Sequence, residues 1–516
     1  MSISLRNVSA WSAIALATAA CGGGGEDVSS GVVIYHATIV DTRDGSLVTG
    51  KTLVVNQGKI QKITSDKINA VGTAQSADAT GKFVVPGYMD MHAHVMDGAK
   101  LSTTYWPLLV ANGVTGVREM SGSTELIAQV KQLNADSAAG LVDAPEIVQV
   151  HGGFFAGAPT TDAAGRAFVQ EKKALGADFI KLVAGAPPFV MAVLDEAKKA
   201  GLGVVGHLPA AVPTDTLSNG GWRVVEHLGA GWGSLIDCAR NAATLRSDAL
   251  SRGYAPPFPS TYTINPRLYD VTKNAEFYQG ILDNFDQVLC KAQAQTFAKN
   301  GTWHVPTLIR LSTQNFSTDS MHTQNPNLKY VDKERRALWA QMADQFDHGT
   351  HYDGLQDTPA VSPANAKTLR DFYQLELDTT RLLKQNGVKI MAGSDSANIA
   401  IWTVPGFSLH QEFGELAKAG LSPLEVLQST TLTPAEFLGR QSAMGTVEVG
   451  KNANLVLLDA NPVTDVSNLS KISGVVLKGR FFAKDKLEQM KSGVAQAYAD
   501  RPMGALSAAI DVNHVH

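Results

Sequence analysis

The middle of the chain alternates short apolar runs with stretches of helical spacing. Eight of these runs are predicted strands, at residues 83–94, 114–118, 146–151, 179–183, 203–207, 223–227, 302–308 and 388–393. Helical spacing lies between them, as at 123–133, 161–175 and 190–200. Strands that alternate with helices indicate a parallel sheet, and eight such units are the number that closes a (β/α)8 TIM barrel. We therefore expect an α/β fold.

The two ends of the chain follow a different pattern. Residues 31–75 and 445–483 alternate apolar and polar positions between turn signals, which predicts short strands and hairpins. We expect the two ends to pair into one small β-sandwich domain beside the barrel. The predicted division assigns 31–82 and 445–487 to the sandwich, 83–444 to the barrel and 488–516 to a C-terminal tail.

Composition restricts the class of protein. The 516 residues are 44% hydrophobic and 18% charged, which is typical of a globular protein with a large core. A net charge of −4 gives no electrostatic footprint for nucleic acid. Three cysteines exclude a disulfide framework, although a single Cys238–Cys290 bridge stays open.

The N-terminus has the pattern of a targeting segment. Arg6 precedes an apolar run, 8–20, that is too short to span a bilayer as a helix. Cys21 and four glycines follow, which resembles a bacterial lipoprotein signal in which residues 1–20 are removed and Cys21 is lipidated. This resemblance implies an exported protein anchored on the periplasmic side of the cell envelope. Cleavage after Ala20, giving a soluble secreted protein, is the alternative.

Candidate metal ligands stand at the ends of the predicted strands. His92 and His94 are separated by one residue, so in a strand they project from the same face about 6–7 Å apart, close enough to share one metal ion. The alternative is two strand histidines with unrelated roles. Four further ligand-type residues end or follow apolar runs: Lys181, His207, His227 and Asp395. Polar residues that recur at strand ends are what a barrel with its site at one rim would produce.

These six residues, in this order, resemble the metal-dependent amidohydrolase superfamily in its two-metal form. The resemblance extends from about residue 31 to 487. The segments Gly87–His92, Gly176–Lys181 and Val225–His227 look like the imidazolonepropionase-like and prolidase-like branch. The resemblance implies a hydrolase that cleaves an amide-type C–N bond in a small molecule, of the dipeptide or N-acyl amino acid class.

The resemblance also implies a role for each ligand. His92 and His94 hold one ion, His207 and His227 hold a second, and Asp395 contacts the metal and the attacking water. Nitrogen and oxygen ligands without thiolate suit Zn²⁺, with Mn²⁺, Co²⁺ or Fe²⁺ also admissible. Two such ions lower the pKa of a shared water and give hydroxide near neutral pH. Asp395 is then the expected general base, which later delivers the proton to the leaving amine.

Lys181 lies among apolar residues, where desolvation favours the neutral amine. A neutral amine can add carbon dioxide and become a carbamate, whose two oxygens can bridge two cations. The resemblance implies this CO₂-derived carbamate, because the family uses its matching lysine in this way. An exposed or salt-bridged lysine at a strand end is the alternative.

Several questions stay open on the sequence alone. The same centre would also attack an ester, lactone or phosphotriester, and a non-catalytic, lipid-tethered binding protein is a rival of another class. The residue that anchors the substrate is not identified, and a homo-oligomer is neither indicated nor excluded. The long connections 229–285 and 310–384 are expected to be either a lid or plain surface insertions. Arg118, Glu119 and His410 lie in further family-like stretches. We expect them to form structural pairs, and the alternative is that they orient the metal ligands through hydrogen bonds.

Overall fold

The structure, a computed structural model, describes residues 25–96, 101–154, 160–251, 271–348, 360–397 and 400–500. The predicted signal segment with Cys21 lies outside these residues. Within them, no helix combines the length and the apolar character needed to cross a membrane.

Strands fall into an N-terminal group, a central group and a C-terminal group. In chain order they are β1 Glu26–Val28, β2 Val32–Val40, β3 Leu47–Asn56, β4 Lys59–Thr64, β5 Ile68–Ala70, β6 Gln75–Asp78, β7 Phe83–Pro86, β8 Tyr88–Ala93, β9 Val114–Glu119, β10 Glu146–Val150, β11 Phe179–Leu182, β12 Gly203–Gly206, β13 Trp222–Glu226, β14 Trp303–Val305, β15 Leu455–Leu458, β16 Ile472–Leu477 and β17 Arg480–Ala483.

Helices fill most of the segments between the central strands. Those in the described residues are Tyr105–Ala111, Thr124–Ala138, Asp162–Leu175, Pro187–Ala200, Thr214–Asn219, His227–Ala230, Gly233–Ile236, Ala242–Ser251, Val271–Asn284, Gln287–Asn300, Leu308–Asn315, Ser320–Thr323, Lys333–His348, Pro363–Gln385, Phe407–Lys418, Pro423–Ser429, Leu432–Phe437 and Lys484–Ala499. The expected α/β class is therefore confirmed.

Local sequence signals explain several helix boundaries. The hydroxyl of Thr161 accepts a hydrogen bond from the backbone N–H of Ala164, which caps the helix Asp162–Leu175 at its start. That helix ends at Gly176, whose φ of 81° is left-handed and favours glycine. The predicted helix 161–175 agrees with these bounds to within one residue.

Strands from both ends of the chain form one sheet, in the order β17-β16-β15-β7-β2-β3-β4, with β6 beside β2. Strand β7 joins the two ends, because Val84 pairs with Leu457 of β15 on one side and with Ile39 of β2 on the other. Buried side chains from both ends, such as Ile34 and Leu455, share one apolar cluster. The predicted pairing of the chain ends is thus observed.

The central strands form two parallel sheets, in the orders β10-β9-β8 and β11-β12-β13-β14. Backbone hydrogen bonds through the segment 388–397 connect them. The N–H of Met391 donates to the carbonyl of His304 at 2.9 Å, and the N–H of Met91 donates to the carbonyl of Ala392 at 2.9 Å. Because all seven strands run the same way, their carboxyl ends lie at a common edge.

Side chains that face inward from these strands form a shared interior. It is an apolar cluster rich in methionine, and its buried members are Met89, Met91, Met120, Phe179, Val205, Val224, Trp303, Val305 and Met391. Side chains from both central sheets therefore pack into one core.

Three sequence predictions need correction. The predicted strand 83–94 divides at Gly87 into β7 and β8, which belong to different sheets. Glycine is required at this crossing, because a Cβ there would meet the Thr115 hydroxyl at 2.2 Å. The predicted strand 388–393 is a single bridge between Ile390 and His304, since the chain then turns towards Asp395. The predicted tail begins instead as the helix Lys484–Ala499, whose Leu487 packs with Ala111.

The two long insertions pack against each other. The ring of Tyr278 stacks on Phe372, with ring centroids 4.1 Å apart. A disulfide joins Cys238 to Cys290, so the bridge that the sequence left open is present. This bridge connects the segment after β13 to the helix Gln287–Asn300.

Candidate metal centre

The residues predicted as ligands all lie at the carboxyl ends of the central strands. His92 is the second-last residue of β8, His94 directly follows that strand, and Lys181 is in β11. His207 and His227 directly follow β12 and β13, and Asp395 follows the bridge at Ile390. None of these six side chains belongs to a residue that is more than 5% exposed.

Three imidazoles converge on the carboxylate of Asp395. The Nε2 atoms of His92 and His94 lie 3.2 Å and 3.0 Å from its Oδ1 atom, and Nε2 of His227 lies 3.8 Å from its Oδ2 atom. Ligand atoms of His92, His227 and Asp395 all lie within 4.8 Å of one another. The ring of His207 is adjacent, with its centroid 5.1 Å from that of His227. The four histidines and the aspartate therefore occupy one small volume.

Lys181 is buried beside this group. Its Nζ donates a hydrogen bond to the backbone carbonyl of Met120 at 2.7 Å. Burial lowers the pKa of Lys181 to about 8, although the negative charge of Asp395 acts in the opposite direction. A larger fraction of the amine is therefore neutral near pH 7 than for an exposed lysine.

Hydrogen bonds at Nδ1 orient three of the imidazoles. Nδ1 of His92 lies 2.7 Å from Oε2 of Glu226, and Nδ1 of His94 lies 3.0 Å from the hydroxyl of Ser121. Nδ1 of His227 is paired with the hydroxyl of Thr307. Each ring is thereby fixed with its Nε2 atom directed towards Asp395, which is the arrangement found around metal-binding histidines.

Glu226 is held in turn by Arg118. The Oε1 atom of Glu226 accepts a hydrogen bond from Nη2 of Arg118 at 2.6 Å, and Nε of Arg118 donates to the carbonyl of Met91 at 2.6 Å. Burial alone would raise the pKa of Glu226, but the charges of Arg118 and His92 outweigh it and the pKa is lowered. Glu226 is thus a carboxylate, so it accepts the hydrogen of Nδ1 and leaves the Nε2 lone pair of His92 free to bind a cation.

Electrostatics favour the protonation states that bind metals. Burial lowers the pKa of His94 to about 4, and burial together with the charge of Arg310 lowers those of His207 and His227 well below the usual value. Burial would raise the pKa of Asp395, but His227, His92 and Arg310 outweigh it and lower the pKa well below its ordinary value. Neutral imidazoles and an ionised carboxylate are the ligand forms.

The backbone is strained where the ligands are presented. His227, Thr307 and Asp395 have φ values of 54°, 45° and 50°, in the left-handed region that non-glycine residues rarely adopt. The turn at Asp395 is secured by hydrogen bonds, because its N–H donates to the carbonyl of His92 at 2.7 Å and the N–H of Ser394 donates to Asp90 at 3.0 Å. Such conformations persist only where the surrounding structure enforces them.

Polar atoms left without partners indicate what the site can hold. His92 Nε2, Asp395 Oδ1 and His207 Nδ1 are buried and have no hydrogen-bond partner among the described residues. Buried polar atoms without partners are costly, and a cation between nitrogen and oxygen ligands would satisfy them. The donor set is therefore suited to divalent ions of the Zn²⁺ type.

Sequence reasoning missed Arg310. Its Nε atom lies 2.6 Å from Oδ2 of Asp395, and the residue is only 1% exposed. It belongs to the helix Leu308–Asn315, which begins directly after β14 and its loop. The sequence contains no local signal for this contact, because Arg310 and Asp395 are separated by 85 positions and an insertion.

Three further buried or partly buried histidines, one of them His410, make contacts outside the proposed ligand set. His151 lies near Lys181, and its Nε2 donates to the same Met120 carbonyl at 2.8 Å. His410 donates to the carbonyl of Asn112 at 2.9 Å, in agreement with the structural role expected for it. His304 is buried and packs on Phe297, with ring centroids 5.1 Å apart.

Comparisons with known proteins agree with this arrangement. Residues 304–482 match the sequence model of the Amidohydrolase family. The chain is 28% identical over 125 residues to the imidazolonepropionase of Thermoplasma volcanium, and this stretch covers 23% of the chain and 30% of that relative. The resemblance to the amidohydrolase superfamily that the sequence shows is thereby confirmed. The matched stretch spans under a third of that relative's length.

Solved structures are similar over most of the chain. A bottromycin amidohydrolase superimposes with a TM-score of 0.64 and 21% identity over 90% of each chain. An Xaa-Pro dipeptidase with methionine bound in its active site superimposes with a TM-score of 0.57 and 17% identity, over 88% of this chain and 100% of that chain. At such identities the likeness establishes the mixed α/β fold of amidohydrolases.

Proposed function

We propose that this protein is a hydrolase that holds two divalent metal ions and cleaves an amide-type C–N bond of a small molecule, of the dipeptide or N-acyl amino acid class. The observation that carries the proposal is the convergence of three Nε2 atoms on the carboxylate of Asp395, with Lys181 buried beside them. A metal pair bound there would supply Lewis acidity and lower the pKa of a water.

The proposed ligand sets follow the geometry of the rim. His92, His94 and Asp395 would hold one ion, and His207 and His227 would hold the other. Lys181, as a carbamate, would bridge the two. The lowered pKa of Lys181, about 8, supports this chemistry because only the neutral amine can add carbon dioxide.

Asp395 has the properties required of the proton-transfer residue. It is a carboxylate at neutral pH, because neighbouring imidazoles and Arg310 keep its pKa well below the ordinary value in spite of burial. It accepts a proton from the water that attacks the substrate carbonyl. It then passes this proton to the nitrogen that leaves, which makes the amine a better leaving group.

The proposal extends to the architecture. We infer that the two parallel sheets and the segment 388–397 form one (β/α)8 barrel within the predicted range 83–444, and that the sheet formed by the two chain ends is the sandwich domain of 31–82 and 445–487. Strand β7, at the predicted boundary, belongs to the sandwich rather than to the barrel. Support comes from the hydrogen bonds through Met391 and Ala392 on one side. On the other side, the N–H of Asp178 donates to the carbonyl of Val150 at 3.0 Å, which connects β10 to β11.

We also propose export to the cell envelope with a lipid on Cys21. The Cys238–Cys290 disulfide supports this location, because structural disulfides persist mainly in oxidising compartments. Fractionation of cells that express the wild type or Cys21→Ser tests the anchor. Membrane association that is lost in the variant supports lipidation, and equal release of both proteins contradicts it.

The function is tested by metal analysis combined with a substrate panel. The protein purified from zinc-supplemented cells is assayed with dipeptides, N-acyl amino acids, lactones, aryl esters and phosphotriesters. The proposal predicts about two metal equivalents, together with amide hydrolysis that a chelator removes and Zn²⁺ restores. Turnover of esters or lactones alone would favour the rival activity. Absence of both metal and turnover would indicate a binding protein.

A further inference from the structure

Arg310 places a fixed positive charge against the residue that would deliver a proton to the leaving group. Its Nε lies 2.6 Å from Oδ2 of Asp395, and both side chains are buried. The charge of Arg310 also contributes to the lowered pKa values of His207 and His227, so its field reaches these two histidines as well as Asp395. A permanent cation next to cation-binding ligands is electrostatically unfavourable, unless a further anion joins them.

The chemistry of the leaving group supplies that anion. In a dipeptide or an N-acyl amino acid, the nitrogen that leaves carries an α-carboxylate, and standard bond lengths put the carboxylate carbon about 2.5 Å from that nitrogen. To receive its proton, the nitrogen must approach Asp395 to within hydrogen-bond distance, about 2.6–3.2 Å. The carboxylate is thereby brought into the region where the guanidinium of Arg310 lies.

From this relationship we infer that Arg310 binds the α-carboxylate of the substrate and selects substrates that carry one. The inference rests on the proposed function and identifies the anchor that this function requires. A guanidinium suits the task because its donors form two parallel hydrogen bonds with a carboxylate.

Other cations near the centre have different tasks. Lys181 donates to the Met120 carbonyl and is assigned to the metal bridge. Arg118 is fully buried and bonded to Glu226 and to the carbonyl of Met91. Of these three cations in the described residues, Arg310 is the one within ion-pair distance of Asp395, the residue that would transfer the proton.

The helix that carries Arg310 is fixed at both ends. Its first turn is held by Glu412, which accepts a hydrogen bond from the N–H of Ile309 at 2.8 Å. Its last residue, Asn315, donates through Nδ2 to Glu376 at 3.1 Å. A charge mounted on a rigid element loses little conformational freedom when it binds, which favours selectivity.

The test compares Arg310→Met and Arg310→Lys with the wild type. Twenty N-acetyl-L-amino acids are assayed, each paired with its carboxamide, which has the same shape without the negative charge. Arg440→Met is the matched control, because Arg440 is paired with Glu146 at the opposite ends of the strands. Metal content and thermal unfolding are measured for every variant.

We expect the wild type to prefer the carboxylate member of a pair. Arg310→Met should lower kcat/KM for that member roughly 100-fold more than for the carboxamide, mainly through KM, since a buried charge partner is lost. Arg310→Lys should retain part of the preference, and Arg440→Met should retain all of it. In Arg310→Met, the calorimetric Kd of the released amino acid should rise more than the Kd of its amide, by the same ratio.

Two results would overturn the inference in different ways. Equal losses for both members in Arg310→Met, or a wild type that hydrolyses both equally, would remove Arg310 as the anchor and leave the proposed hydrolase intact. A wild type that hydrolyses neither member of any pair would overturn the proposed function and the anchor together.

Discussion

The Nδ1 atom of His92 lies 2.7 Å from Oε2 of Glu226, in a region that solvent does not reach. Glu226 is not one of the proposed metal ligands. Its hydrogen bond with Nδ1 of His92 leaves the Nε2 atom of that ring free to bind a metal ion. Arg118 completes this chain of contacts on the other side of the carboxylate. The ligand geometry therefore depends on charges that lie behind it.

Replacement of Glu226 tests this dependence. Glu226→Gln removes the charge that fixes the tautomer of His92 and compensates Arg118, so we expect metal affinity to fall about 10-fold to 100-fold. Competition with a chromogenic chelator measures the affinity. Glu146→Gln is the control, since Glu146 is paired with Arg440 far from the centre. Affinity in Glu226→Gln equal to that of the wild type would show that the contact is only structural.

Lys181→Ala tests the carbamate bridge. Without the bridging oxygens we expect a metal-poor protein with little activity, partly rescued by short carboxylic acids that supply two oxygens to the same space. Lys198→Ala, on an exposed helix surface, is the control. Metal content is measured by elemental analysis. An unchanged metal content in Lys181→Ala would argue against any bridging role.

Asp395→Asn tests the proton-transfer role. The amide keeps the size of the side chain but cannot carry a proton from water to the leaving nitrogen, so kcat should fall by about 10²-fold to 10⁴-fold while the fold is kept. Steady-state kinetics and circular dichroism measure the two properties. Asp459→Asn, at a site exposed in the end sheet, should be close to wild type. Near-normal turnover in Asp395→Asn would refute the assignment.

Much of this centre could be predicted from local sequence. His92, His94, Lys181, His207 and His227 each end or follow an apolar run, so spacing alone indicates a shared rim. Their supporting contacts could not be predicted in this way. Glu226 and His92 are 134 positions apart, and the distance between them is set by the packing of separate strands.

The limits of local pattern are clearest at two places. The run 83–94 reads as one strand, but the close approach of Gly87 to Thr115 belongs to tertiary structure and divides it between two sheets. The run 388–393 has the apolar character of a strand, yet it forms only a bridge at Ile390 before the left-handed turn at Asp395. In both cases the neighbouring segments decide the conformation.

His304 provides a test of acid stability away from the ligands. Burial lowers the pKa of His304 to about 3, and neither ring nitrogen has a hydrogen-bond partner among the described residues. The unfolded chain binds a proton here below about pH 6.5 and the folded protein does not, so this residue costs stability as pH falls. The change in unfolding free energy caused by His304→Leu should therefore depend on pH. We expect it to be about 2 kcal/mol more favourable at pH 5 than at pH 8.

Denaturant unfolding at the two pH values measures this difference. The control is His348→Leu, because the side chain of His348 is 68% exposed. A His304→Leu variant as sensitive to acid as the wild type would show that this histidine is protonated without cost in the folded state.

The disulfide should contribute to stability through the unfolded chain. Cys238 and Cys290 are 52 positions apart, and closing a loop of that length corresponds to about 4 kcal/mol. The double variant Cys238→Ser/Cys290→Ser should therefore unfold at a lower denaturant concentration than the oxidised wild type. The wild type treated with a reductant is the matched comparison. Equal midpoints for all three samples would contradict the prediction.

The most direct test of the central claim is a crystal structure of the zinc-loaded protein with anomalous data at the zinc edge. We expect two anomalous peaks at the rim, one about 2.1 Å from the Nε2 atoms of His92 and His94, and added density on Nζ of Lys181. A structure of the zinc-saturated protein with no peak among these histidines would contradict this claim.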